Sequence, residues 1–65
     1  LATITLKYDK LKLWKQYLEK YPLRHETIIN DPEKFILYYE DEYELMTIGF
    51  NFGMYCNKIL QNENI

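Results

Sequence analysis

Residues 31–45 read DPEKFILYYEDEYEL, and the fold turns on them. Two readings compete for the first half. Asp31 as a cap with Pro32 as the first helical residue is a good helix start. Against it, Phe35-Ile36-Leu37-Tyr38-Tyr39 is an unbroken run of β-favouring residues, apolar on both faces, as a central strand requires. The density of β-formers and the short flanks favour the strand. Asp31-Pro32-Glu33-Lys34 then reads as a type I turn leading into it. The second half is a helix start. Asp41 and Glu44 make a capping-box-like pair ahead of an apolar run. Glu42 and Glu44 suit the positive amino end of that helix, and Lys58 suits its other end.

Downstream, Leu45, Ile48, Phe52, Tyr55 and Ile59 recur at helical spacing and form one core stripe. Gln61 to Ile65 read as a frayed end. Upstream, Arg24 to Asn30 reads as a short strand, with Ile28 and Ile29 its best evidence. Ala2 to Tyr8 alternates: Ala2, Ile4, Leu6 and Tyr8 share one face, and Thr3, Thr5 and Lys7 the other. Asp9 is placed to cap the helix that follows. In that helix Leu11, Trp14, Leu18 and Tyr21 make the core stripe, with Tyr17 filling it. Pro22 ends it, because the residue before proline avoids the helical region.

The expected class is therefore α/β, as an α+β two-layer domain in the order β-α-β-β-α. Its three-stranded sheet carries two helices, the first on one face by a right-handed crossover. With Phe35–Tyr39 central, the strand order is first, third, second. That is a truncated ferredoxin-like topology lacking the last strand, an analogy of topology that carries no function.

The chain has 65 residues, room for one domain spanning 1–65 and one small core. It contains one cysteine, Cys56, and one histidine, His25, so neither an internal disulfide nor a four-ligand structural zinc site is expected. A partner is the staple left open to so small a chain. Seven tyrosines, with no serine and no valine, look like the bias of an A/T-rich genome and warn against assigning a role to each tyrosine. The amino terminus lacks the apolar run of a signal peptide, and the uncharged stretch Leu45 to Asn57 is too short to span a bilayer. A cytoplasmic protein is the expectation. With Leu1 in place of methionine, a processed or trimmed start is the expectation.

The absence of serine excludes serine hydrolase chemistry. A Cys56–His25 pair can be drawn on paper, but Cys56 lies in an apolar helix, where a free cysteine behaves as a small hydrophobe. His25, between Arg24 and Glu26, reads as a sheet-edge residue. No glycine-rich phosphate loop is present, since Gly49 and Gly53 both fall inside the second helix. No catalytic residue, metal, cofactor or small-molecule ligand is expected, and the chain reads as a non-enzyme.

Three surfaces remain. The first is on the second helix, where Met46, Phe50 and Met54 form a row away from the core stripe, with Gly49 and Gly53 beside it. Glycine inside a helix costs about 1 kcal/mol against alanine, so the pair implies that another backbone passes close, from the domain's own sheet or from a second subunit. Alternatively Trp14 and Tyr17 cover Met46 and Phe50 within one chain. The second surface is basic. Residues 1–24 hold six Lys/Arg and two Asp/Glu, while residues 25–65 hold two Lys and eight Asp/Glu. Lys10, Lys12, Lys15, Lys20 and Arg24 are the nucleic-acid candidates, although an ordinary solvated lysine face reads better in an acidic protein. The third is acidic: Glu40, Asp41, Glu42 and Glu44, read as a helix cap and solvated rim, or as a dock for a basic partner.

ATITLKYD, residues 2–9, resembles the opening strand of some small bacterial antitoxin-like proteins. The likeness covers eight residues and does not extend past Asp9. The expected function is that of a small non-enzymatic protein-interaction domain, a homo-oligomer (a dimer first) or a subunit of a complex. It pairs through the second helix or the free edge of the first strand, and no membrane is involved. The alternatives are an antitoxin-like nucleic-acid regulator and a small phage-type inhibitor docking through the acidic surface.

Overall fold

Phe35 and Leu37 are completely buried, and the rest of the fold is arranged around them. In the computed structural model, which describes residues 1–63, they lie on β3 (Asp31–Tyr39), flanked by β1 (Ala2–Lys7) and β2 (His25–Ile28). Both neighbours run antiparallel to β3, and the sheet order is β1-β3-β2. The helices are α1 (Leu13–Lys20) and α2 (Glu42–Glu63). This is the β-α-β-β-α two-layer α+β fold that the sequence implies, with Phe35–Tyr39 on the central strand. Residues two apart on a strand share a face, so Phe35 and Leu37 meet Ile4 and Leu6 from β1 on the helix-covered side. Leu18 from α1 and Ile48 from α2 close the core from above. Thr3, Thr5, Ile36 and Tyr38 point to the other side. β1 is an edge strand with Thr3, Thr5 and Lys7 exposed along it.

The turn before β3 is not where the sequence places it. β2 stops at Ile28, the chain reverses at Ile29-Asn30, and Asp31–Lys34 already belongs to β3. Ile29, read as strand, is 95% exposed. β1 recruits the segment: Lys34 lies opposite Lys7, and the Tyr8 N–H donates to the Glu33 carbonyl at 2.7 Å. On the β2 side the register jumps, with Thr27 opposite Phe35 but Ile28 opposite Asp31. Pro32, which has no N–H to give, therefore falls in a bulge where no ladder bond is asked of it.

α1 also starts later than its apolar spacing implies. Lys12 adopts a left-handed conformation (φ 58°), so the helical phase begins at Leu13. Leu13 is buried in place of Leu11, which is 56% exposed, and Tyr21 at the far end is exposed as well. Asp9 does cap the helix, from across this turn. Its carboxylate accepts the N–H groups of Leu13 (3.0 Å) and Trp14 (3.1 Å), and its carbonyl accepts that of Lys12 (3.1 Å). Partial burial pushes the Asp9 carboxyl up, but these backbone donors outweigh it and hold the group below its ordinary value.

α2 starts as its capping pair dictates. Asp41 Oδ1 accepts the Glu44 N–H at 2.8 Å, and Glu44 Oε1 accepts the Glu40 N–H at 3.3 Å. The return bond reaches one residue further back than in the usual box. Asp41→Ala is expected to lower stability by about 1 kcal/mol, read as a shift in a urea unfolding curve. An unchanged midpoint would show the cap to be dispensable.

Candidate interaction surface on the second helix

Successive helical residues are set about 100° apart, which places the residues of α2 on definite sides. Leu45, Ile48, Phe52, Tyr55 and Ile59 share one side, all buried or half-buried, with Ile48 in the core. Met46, Phe50 and Met54 fall on the opposite side and are 72%, 68% and 59% exposed. Tyr43, 78% exposed, extends the same row at its start. The sequence reading missed Tyr43, although its three- and seven-residue spacing from Met46 and Phe50 was the available signal.

α1 does not cover this row. Trp14 stacks flat on Phe52, with ring centroids 3.7 Å apart and planes 13° off parallel. Tyr17 packs edge-on against Phe52 and Tyr55 at 5.5 and 5.2 Å. Both aromatic side chains are thus committed to the inward side of α2. The expectation that Trp14 and Tyr17 cover Met46 and Phe50 within one chain is overturned. So is the expectation that the domain's own sheet runs close past the glycines. A Cβ built on Gly49 or Gly53 meets no atom within 4 Å.

The two charged candidates come out differently. Lys10, Lys12, Lys15, Lys20 and Arg24 are all exposed, but they are spread over different elements. Lys10 and Lys12 sit in the turn before α1, and Lys15 and Lys20 on the helix itself. Arg24 lies 5.0 Å from the ring centroid of Tyr38, on the uncovered side of the sheet. Glu40, Asp41, Glu42 and Glu44 do cluster, exposed, at the start of α2, with Asp41 and Glu44 engaged in its cap.

Sequence reading also missed an open groove of about 530 Å³ between the carboxyl-terminal halves of the helices. Tyr17, Tyr21 and Tyr55 line it, with Lys20 and Lys58 at its rim and Met54 shared with the outer row. Its walls come from two helices distant in sequence, so no local pattern announces it.

Cys56 is half-buried. Burial pushes its thiol up, and the Asp9 carboxylate adds to the effect. His25 is held elsewhere, its Nδ1 donating to the Leu23 carbonyl at 2.7 Å and its ring edge-on to Phe35. A thiol reagent at neutral pH is expected to modify Cys56 more slowly in the folded chain than in urea. Equal or faster reaction in the folded chain would mark an activated thiol.

Neither a family model, nor a curated protein, nor a solved structure matches this chain. Its surfaces therefore have to be read from their own geometry. Among the described residues no helix is long and apolar enough to cross a membrane.

Proposed function

We propose that the chain is a small, non-enzymatic, cytoplasmic protein-interaction domain that works by self-association, with the outer row of α2 as its contact surface. The observation that carries this reading is the exposure of Met46, Phe50 and Met54 on the side of α2 opposite the core. A contiguous apolar row with two adaptable methionines around an aromatic is a common contact surface and an unfavourable one to leave in water. A chain of this size gains from burying such a row against a partner. The exposed lysines and Arg24 support the nucleic-acid alternative less well, because Arg24 lies against Tyr38 on the uncovered side of the sheet, apart from Lys15 and Lys20 on α1.

The test is solution mass across a hundredfold dilution, with Phe50→Glu alongside. The wild-type chain is expected above its single-chain mass when concentrated, and Phe50→Glu at that mass with its helix content unchanged. A single-chain mass at every concentration overturns self-association. A Phe50→Glu chain that unfolds would show the row to be core.

A further inference from the structure

We infer that the partner on the outer row is a second α2 laid antiparallel to the first, with the twofold axis at Phe50. This rests on the self-association reading above and adds an orientation to it. The row is symmetric about Phe50: Met46 lies four residues before it and Met54 four after. Reversing one helix about that point sets each methionine against the other methionine of the twin and brings the two Phe50 rings together at the axis.

The flanks of the row decide the direction. At about 100° per residue, Gly49 and Gly53 fall on one flank of Phe50, and Glu44 and Lys58 on the other. A twofold axis perpendicular to the helices keeps like flanks together. The glycines of both copies then lie along the same edge of the contact, where the absent side chains leave room for Phe50 and Met46 of the twin; in the single chain nothing stands within 4 Å of a Cβ at either position. On the opposite flank Lys58 comes level with Glu44 of the twin, to within about 3 Å along the axis. Among the side chains of residues 1–62 Lys58 has no carboxylate partner. The acidic start of each helix also meets the negative carboxyl end of the other only through that lysine, so the pairing places a cation where it is needed.

A parallel pair reverses each of these matches. The glycine flank of one helix would face the bulkier flank of the other. Glu42, on the glycine side, would stand level with Glu44 of the twin, a like-charge contact repeated twice by symmetry.

The experiment uses the full chain with Cys56→Ala, so that no native thiol interferes. Met46→Cys and Met54→Cys chains are oxidised separately and as a mixture. Antiparallel pairing predicts disulfide-linked dimers in the mixture, in excess over either chain alone. Like positions would be about 12 Å apart along the helix axis, too far to bridge. Efficient linkage within the Met46→Cys chain alone would show a parallel pair and overturn this orientation while leaving self-association standing. A single-chain mass at every concentration overturns the reading beneath both. As a second measure, Lys58→Glu is expected to weaken the dimer by about tenfold at low salt, with the loss shrinking as salt is raised. No loss at low salt would overturn the Lys58–Glu44 contact.

Discussion

Phe35→Ala is expected to cost about 3–5 kcal/mol, whereas the same substitution at Phe50 should cost the single chain no more than about 0.5 kcal/mol. The two residues are chemically identical and both sit in regular elements. They differ in what surrounds them. Phe35 is completely buried on the central strand, with Tyr8 stacked on it at 4.6 Å and Trp14 tilted against it at 5.5 Å. Removing its ring strips contacts from β1 and α1 together and leaves a cavity that a three-stranded sheet has little freedom to close. Phe50 is 68% exposed and lies outside the core cluster. A domain of this length is expected to have only about 3–10 kcal/mol in total, so Phe35→Ala should leave much of the population unfolded at 25 °C. Urea unfolding followed by circular dichroism, at a dilution where the chain is single, measures both. Comparable losses at the two positions would mean that α2 does not lie as described.

That contrast also shows what the sequence could and could not reveal. Phe35–Tyr39 was legible as a strand because five consecutive β-favouring residues stand between short flanks; its Phe35 and Leu37 enter the core, while Ile36 and Tyr38 are half-buried on the side without helices. The Asp41–Glu44 pair was legible because capping is local: the residues that make the bonds are three apart in the chain. The start of α1 was not, because one left-handed residue, Lys12, resets the helical phase and leaves Leu11 out of the stripe it belongs to by spacing. The β2–β3 reversal was missed for a related reason. Among the described residues Lys12 is the only non-glycine with positive φ, so Ile29-Asn30 turns without the left-handed residues that signal a tight hairpin. Its position is set by pairing with β1, which lies far away in sequence. The outer row of α2 was visible as a period, but its exposure depended on where Trp14 goes, and that is decided by tertiary packing against Phe52.

The glycines give the prediction that best separates stability from assembly. Replacing both Gly49 and Gly53 by alanine should stabilise the single chain by roughly 2 kcal/mol, since each glycine costs a helix interior about 1 kcal/mol and a Cβ at either site meets nothing. For a domain this small the gain corresponds to a melting temperature raised by roughly 8–16 °C. The same substitutions place four methyl groups along the edge of the proposed antiparallel contact, in the space left for Phe50 and Met46 of the twin. Overpacking of that kind typically costs about 1–3 kcal/mol, so self-association should weaken by about tenfold or more. The two effects have opposite signs and different concentration dependence. Melting at high dilution reads the first, and mass against concentration reads the second. A double variant that melts higher and associates as before would show that the glycines are not at the contact, and the twin would then have to sit on the Thr47–Asn51 flank of the row. A variant that melts lower would show that the space beside the glycines is filled by the chain itself. The melting and mass measurements together say whether a second copy occupies the open space beside these glycines.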